Sequence, residues 1–288
     1  MSGFKVRTDL ALEARESIED ADGDIRGVTV EEYYKDASEV KVTKVIIDTM
    51  NAAKAMKKPM GTYITLEAPA MPEPDEDYHR EISIELSGQL QGIIPKVKEE
   101  QSVLVVGLGN RDVTADALGP NVVDNLLITR HVVKEYGKAA YNKEKMHMVS
   151  SIVPGVMAKT GMETAEIVKG VIDQTNPDIA IVVDALAARS TKRLNRTIQI
   201  TNTGIHPGSG VGNHRGALTK ESLGIPVIAI GVPTVVDAAT IVNDAVGSEQ
   251  AGRLSELHNM YVTSKDIDET IKRLSFTISE ALNIALDI

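Results

Sequence analysis

The stretch VLVVGLGNRDVTADALGP, from Val103 to Pro120, decides the fold class. It opens with a continuous apolar run, turns through two glycines and then carries two aspartates before a helical pattern starts. An apolar run of this length is typical of a strand that is buried on both faces, as in a parallel sheet. Glycines after such a strand often bind phosphate, so the stretch predicts either a phosphate cradle or a loop that holds a catalytic carboxylate.

The alternation of strand and helix continues on the C-terminal side of this stretch. Further apolar runs end at Val153, Asp184 and Gly231, and segments with helical spacing separate them. Buried strands that alternate with helices predict an α/β fold, with a mostly parallel central sheet and helices on both faces. Between Arg196 and Asn202, apolar and polar residues alternate, which favours an edge or antiparallel strand.

The two ends of the chain add elements to this core. Strand patterns at Val42–Asp48 and Thr62–Glu67 flank the helix-prone TMNAAKAMKK and predict an added N-terminal β/α portion. The C-terminal segment SKDIDETIKRLSFTISEALNIAL has apolar residues at helical spacing and predicts a packed helix at about 265–287. We therefore expect a single domain whose core lies at about 100–245.

Composition narrows the classes of function. The 288 residues carry a formal net charge of −10, which argues against direct binding of nucleic acid because that binding needs clustered Lys and Arg. No cysteine is present, so disulfides, thiolate metal sites and a cysteine nucleophile are excluded. Neither a signal-peptide core nor an apolar run of membrane-spanning length occurs, so we expect an intracellular protein that does not bind membranes.

The phosphate-cradle interpretation of the opening loop fits poorly. A dinucleotide motif, G-x-G-x-x-G, would need a glycine where Asp112 stands, and its helix would start at the glycines. No sequence of the form G-x-x-x-x-G-K-[ST] occurs either. A non-catalytic α/β module that binds a phosphorylated ligand at the Gly107 loop is therefore an alternative and not the leading hypothesis.

The carboxylate interpretation fits better. Ligands of an open parallel sheet bind at the carboxyl ends of its strands, and both Asp116 and Asp184 follow or end an apolar run. Two carboxylates a few ångströms apart share one proton, since like charges so close together do not both ionise. The ionised member can activate a water molecule while the protonated member polarises a peptide carbonyl. The structural alternative is that Asp116 caps a helix and Asp184 closes a turn.

Other catalytic systems are poorly matched. Ser209 lacks the flanking glycines of a G-x-S-x-G elbow, and no H-E-x-x-H sequence is present. His206, in the glycine-rich loop GIHPGSGVGNHRG, either acts as a ligand or base or stabilises the loop. A metal-dependent peptidase that uses His206 and carboxylates is a second alternative. The version without a cofactor is preferred because the sequence has no compact cluster of His and carboxylates.

Longer strings between Val103 and Asp244 resemble one known family. They read VVGLGNRDVTADALGP, SIVPGVMAKTGMET, VVDALAARS, NRTIQITNTGIHPGSGVGN and LGIPVIAIGVPTVVDA. These strings are similar to the spore germination protease of endospore-forming bacteria. The resemblance implies an endopeptidase, without a cofactor, that degrades small acid-soluble spore proteins in the cytoplasm of the forespore or spore core. It also implies a homo-oligomer, a dimer or a tetramer, with a fold similar to the hydrogenase maturation proteases (phosphorylase/hydrolase-like).

The resemblance also implies which residues act. The family is regarded as an unusual aspartic-type peptidase, and its two essential aspartates carry over to Asp116 and Asp184. The glycine-rich loops then become candidates to bring backbone N–H groups close to the substrate and to a developing oxyanion. The candidate loop residues are Gly107, Gly109, Asn110, His206, Gly208 and Ser209.

The N-terminus acquires a role through the same resemblance. The family is made as a zymogen that removes a short propeptide by self-cleavage after an acidic residue. Thr8-Asp9-Leu10-Ala11 is similar to its substrate pattern, Thr-Glu-hydrophobic-Ala. We therefore expect cleavage between Asp9 and Leu10, with a propeptide at 1–9 and the peptidase domain at 10–288. The alternative is a frayed or helical terminus, as is common for short polar segments.

Overall fold

The chain folds into one large sheet with helices packed against it. The structure is a computed structural model, and it describes residues 10, 12–13, 25–35, 39–141, 146–206, 216–246, 257 and 260–288. The strands are β1 (Val28–Lys35), β2 (Val40–Ile47), β3 (Gly61–Glu67), β4 (Ser102–Gly107), β5 (Met148–Ile152), β6 (Ile179–Ala188), β7 (Thr197–Thr201), β8 (Val227–Asp237) and β9 (Tyr261–Val262). Their order across the sheet is β1-β2-β3-β7-β8-β6-β4-β5, and β9 pairs with β8.

The helices of the described residues fill the connections between strands. They are α1 (Met50–Met56), α2 (Glu76–Ile93), α3 (Leu118–Asp124), α4 (Arg130–Tyr136), α5 (Met157–Thr160), α6 (Thr164–Thr175), α7 (Lys220–Leu223), α8 (Ala238–Val246) and α9 (Ile267–Ala285). Short 3-10 turns lie at Thr114–Asp116, Lys138–Tyr141 and Thr191–Arg193. No helix among the described residues is long and apolar enough to span a membrane.

The sheet is mixed, and the prediction of a mostly parallel sheet was wrong. β4 pairs in parallel with β5 and β6, and β6 pairs in parallel with β8. The pairs β1–β2, β2–β3, β3–β7 and β7–β8 are antiparallel. Burial on both faces identifies a central strand but does not fix its direction, so apart from Arg196–Asn202 the pattern did not predict antiparallel pairing.

Three elements differ from the sequence pattern for local reasons. β1 was missed because most of its residues are exposed, so it carries little apolar periodicity. β7, expected at an edge or antiparallel, is antiparallel to both β3 and β8 and lies inside the sheet. β8 continues to Asp237, beyond the apolar run that ends at Gly231, because a bulge between Leu186 and Ala187 lets Val235 and Val236 stay paired with β6.

The core lies on both sides of the parallel strands. On one face, α2, α3 and α9 cover the sheet, and α9 contributes Ile267, Ile271, Leu274, Ile278 and Leu282 at helical spacing. Full burial of each such side chain contributes about 1.5–3 kcal/mol relative to exposure. On the other face, α6 and α7 cover alternate residues of β4 and β6. The parallel strands are therefore held rigidly, and their carboxyl ends are fixed in space.

Candidate active site

Glycines in the loop after β4 allow the chain to fold tightly around Asp116. Gly109 has a φ of +119°, and a Cβ built there would lie 1.9 Å from the backbone oxygen of Asp116. A Cβ on Gly107 would lie 2.3 Å from the backbone oxygen of Gly119. Real Cβ atoms do not approach other atoms so closely, so both positions require glycine. The glycines let the turn at Thr114–Asp116 close over the end of β4.

Hydrogen bonds hold Asp116 from two sides. The N–H of Asn110 lies 3.0 Å from the backbone oxygen of Asp116 and 3.0 Å from its Oδ2. The N–H of Asp116 donates to the Val113 carbonyl at 2.8 Å. From β8, the Thr234 hydroxyl donates to the Ala115 carbonyl at 2.6 Å. The carboxylate is therefore held by the loop that precedes it, and the backbone just before Asp116 is held by the neighbouring strand β8.

Asp184 lies within β6, next to the residue to which the loop after β4 is hydrogen-bonded. Its side chain is buried, at 6% exposure. The N–H of Leu108 donates to the carbonyl of Val183 at 2.8 Å. A Cβ on Gly119 would lie 2.5 Å from the same oxygen, so the start of α3 packs directly on β6. On its other side, Asp184 is paired in register with Gly231 of β8.

The structure thus brings both aspartates to the same edge of the sheet. The hydrogen bond from Asn110 to Asp116 closes the loop on itself, and the one from Leu108 to Val183 ties the loop to β6 one residue before Asp184. The turn that contains Asp116 contacts both β6 and β8. This edge is formed by the carboxyl ends of parallel strands, where α/β sheets bind their ligands.

A small pocket opens next to Asp184. It has a volume of about 80 Å³ and is lined by residues of β3, β7 and β8, by Leu186 of β6 and by His206. Gly231, the residue paired with Asp184, also lines it. A Cβ on Gly231 would lie 2.4 Å from the Leu186 side chain, so glycine is required there as well. His206 is an exposed residue and shares this pocket lining with Gly231.

The other predicted residues are only partly described. Gly208, Ser209 and Asp9 lie outside the described residues. Leu10 is fully buried and belongs to a small apolar cluster with residues of β6 and β8. Such burial is not expected of a frayed terminus.

Glu13 and Arg193 form a contact that the sequence pattern did not reveal. Glu13 is 2% exposed, and its carboxylate is bound by two backbone N–H groups at the end of β6 and by the Arg193 guanidinium. The two residues are far apart in sequence, so no local pattern could pair them. The only signal was an acidic residue shortly after the expected cleavage position.

Two observations concern the metal-dependent peptidase and the phosphate-binding module that the sequence left as alternatives. Asp112, which stands at the third position of the dinucleotide motif, forms an exposed ion pair with Lys159. Within the described part of the chain, no group of three or more His, Asp and Glu side chains could hold a metal ion.

Comparison with known proteins extends over nearly the whole chain. The profile of the germination protease family, Peptidase_A25, matches residues 6–248. The chain is 45% identical to the germination protease of Caldanaerobacter subterraneus subsp. tengcongensis, with 98% of this chain and 94% of that protein covered. It is 44% identical to the germination protease of Clostridium tetani, with 98% and 96% covered. It is 47% identical to that of Bacillus mycoides, with 85% and 67% covered.

Proposed function

The chain belongs to the germination protease family, and from that membership we propose that it is an endopeptidase that initiates degradation of small acid-soluble spore proteins during spore germination. It acts in the cytoplasm of the forespore or spore core, as a homo-oligomer, and is made as a self-processing zymogen. The observation that supports the catalytic part of the proposal is the hydrogen bond from Leu108, at the start of the loop that leads to Asp116, to Val183, the residue before Asp184.

The two aspartates hydrolyse the peptide bond as a pair. Because like charges at one edge repel, the pair retains one proton at neutral pH. The ionised carboxylate takes a proton from water while the water oxygen attacks the scissile carbonyl carbon. The protonated carboxyl donates a hydrogen bond to the carbonyl oxygen and stabilises its developing charge. When the C–N bond breaks, a proton passes to the leaving nitrogen, so that water has supplied OH to the acyl carbon and H to the amine.

The glycine loop serves mainly to position Asp116. The N–H of Asn110 is engaged by Asp116, and Gly107 and Gly109 supply the space for the turn. This arrangement supports a positioning role for all three residues. His206, Gly208 and Ser209 remain candidates for contact with the substrate, since His206 lines the pocket beside Asp184.

The N-terminal segment fits the zymogen proposal. Leu10 clusters with Leu186, Ala188 and Val236, close to the strand segment that carries Asp184. Cleavage between Asp9 and Leu10 then removes residues 1–9 and leaves the peptidase domain at 10–288. The contact of Leu10 with Leu186, two residues after Asp184, supports this proposal.

One mass-spectrometric time course tests both parts. The purified full chain is incubated with a small acid-soluble spore protein, and the intact masses of both proteins are followed. We expect discrete substrate fragments, and an enzyme that loses residues 1–9 to start at Leu10. A substrate that stays intact would contradict the peptidase assignment, and a mature enzyme that starts elsewhere would contradict the cleavage position. An undiminished rate after exhaustive chelation is expected, and its loss would favour the metal-dependent alternative.

A further inference from the structure

A bulge in β8 lies beside the 3-10 turn of the candidate site. Leu186 of β6 is paired in register with Pro233, whereas the next residue of β6, Ala187, is paired with Val235. Thr234 is therefore the extra residue of the bulge and stands outside the register between the two strands. Bulges are common next to active sites, where they direct a side chain towards a particular group.

The side chain of Thr234 is directed at the turn that carries Asp116. Its hydroxyl donates to the Ala115 carbonyl at 2.6 Å, and the residue is 0% exposed. That carbonyl and the N–H of Asp116 belong to the same planar peptide group. Because a buried carbonyl that loses its donor is unfavourable, the Thr234 hydroxyl fixes the peptide group from which the Asp116 side chain projects.

The bulge is itself held by residues outside β6. The carbonyl of Pro233 accepts the N–H of Asn195 at 2.7 Å, and the carbonyl of Thr234 accepts the hydroxyl of Thr263 at 2.7 Å. Nδ2 of Asn195 donates to the hydroxyl oxygen of Ser264 at 2.9 Å, which joins these two supports to each other. Thr263 directly follows β9, which pairs with the last two residues of β8. The position of the Thr234 hydroxyl is therefore set by the fold.

We propose that Thr234 is a positioning residue for peptide hydrolysis and that it acts through Asp116. Its hydroxyl holds the peptide group between Ala115 and Asp116, and the contacts of the bulge determine where that hydroxyl lies. Loss of the hydroxyl lets the turn relax and shifts the carboxylate, which slows the chemical step and leaves substrate binding unchanged. The inference rests on the proposed function, since it requires Asp116 to take part in hydrolysis.

Thr234→Val and Thr234→Ser test the inference on the full chain, with cleavage of a small acid-soluble spore protein as the assay. Valine has nearly the shape of threonine but lacks the hydroxyl, so kcat should fall at least about 10-fold while KM stays the same. Serine retains the hydroxyl and should restore most of the rate. A folded Thr234→Val variant with the wild-type kcat would overturn the inference, and so would a Thr234→Ser variant as slow as Thr234→Val.

Thr129→Val is the matched control for the loss of a buried hydroxyl. Thr129 is 2% exposed and donates to the His147 carbonyl at 2.8 Å, just before the amino end of β5. This variant should lose melting temperature because a buried hydrogen bond is removed, but it should keep the wild-type kcat. A fall in kcat equal to that of Thr234→Val would show that lost stability, and not positioning, lowers the rate.

An Asp116→Asn background separates positioning of Asp116 from a general effect on the site. Because Thr234 acts through Asp116, adding Thr234→Val to Asp116→Asn should lower the residual rate no further. A further fall as large as that in the wild-type background would overturn the inference.

The outcomes also distinguish this inference from the proposed function. A wild-type chain that leaves the spore protein intact defeats the proposed function, whereas a wild-type chain that cleaves it with an unchanged kcat in Thr234→Val defeats the inference alone. Should Thr234→Val not fold, Thr263→Val removes the donor to the Thr234 carbonyl and serves as the second variant. Its kcat should fall with KM unchanged, and the wild-type kcat would overturn the inference.

Discussion

At the scale of single residues, the glycines Gly107 and Gly109 serve to position Asp116. Gly109 has a backbone conformation that favours glycine and lies against the Asp116 carbonyl, while Gly107 makes room for Gly119. The conformation that these glycines permit positions the Asp116 carboxylate near the end of β4. Its resemblance to a phosphate loop is therefore confined to two glycines.

Gly109→Ala should disable the enzyme while leaving most of the fold intact. The added Cβ would collide with the Asp116 backbone oxygen, and the φ of +119° is strained for alanine, so Asp116 must shift. We expect kcat to fall at least about 10-fold and stability to fall by about 1–3 kcal/mol.

Steady-state kinetics and thermal denaturation measure the two effects. Gly88→Ala is the matched control, because it lies in α2, where an added Cβ meets no atom within 4 Å. That variant should retain full activity and gain about 0.5–1 kcal/mol. Unchanged kcat in Gly109→Ala would show that the loop does not position a catalytic group.

At the scale of single residues, the sequence indicates a candidate site residue only where a local pattern marks it. Asp184 ends an apolar run and Asp116 follows one, so both could be proposed from the sequence, and their catalytic role stays a prediction. The engagement of the Asn110 N–H by Asp116 was not, because it depends on how the loop closes. The contact between Glu13 and Arg193 depends on the tertiary fold alone.

At the scale of elements, a buried histidine joins α2 to α9. Nδ1 of His79 lies 2.7 Å from the Thr277 hydroxyl oxygen, and Nε2 lies 3.1 Å from the Glu73 carbonyl oxygen. Burial lowers the pKa of His79, and the Arg273 cation lowers it further, while the Glu73 carbonyl and Asp75 act in the opposite direction. The pair of helices thus favours the neutral imidazole.

This histidine makes stability depend on pH. Since its pKa is lower in the folded protein than in the unfolded chain, the unfolded chain binds more protons as pH falls through the ordinary range of histidine. Stability is therefore retained above that range and falls as pH decreases towards the folded pKa. His79→Gln should show a smaller loss of melting temperature between about pH 7 and pH 5 than the wild type.

The control for this experiment is His131→Gln, which replaces an exposed histidine in α4. It should keep the wild-type pH dependence. If the His79→Gln variant followed the wild-type curve throughout, other groups would be responsible for the slope.

Helices and strands were predicted well where apolar residues form a clear run or recur at a regular spacing. α9 follows its helical spacing, and the apolar runs of β4 and β6 became buried central strands. β1 has too few buried residues to produce a period, and the end of β8 is a strand only because a bulge keeps it in register with β6. Strand direction, which makes the sheet mixed, is decided by pairing partners far away in sequence.

At the scale of the whole molecule, the candidate site lies where the two halves of the sheet meet. The parallel half supplies β4, whose following loop carries Asp116, and β6, which carries Asp184. The antiparallel half supplies β3 and β7, which line the pocket beside Asp184. Leu10 packs against Leu186, Ala188 and Val236, in the last part of β6 and of β8. The mixed sheet therefore has both candidate aspartates, the pocket and Leu10 along β6 and its neighbouring strands.

Substitution of the two aspartates tests the central claim most directly. The rate of cleavage of a small acid-soluble spore protein is measured for Asp116→Asn, Asp184→Asn and the double variant, with the exposed Asp112→Asn as control. We predict that each single variant is at least about 10³-fold slower than wild type and that the double variant is no slower, because the pair acts as a unit. Asp112→Asn should match the wild type. Cleavage by a folded Asp116→Asn or Asp184→Asn variant at the wild-type rate would contradict the account.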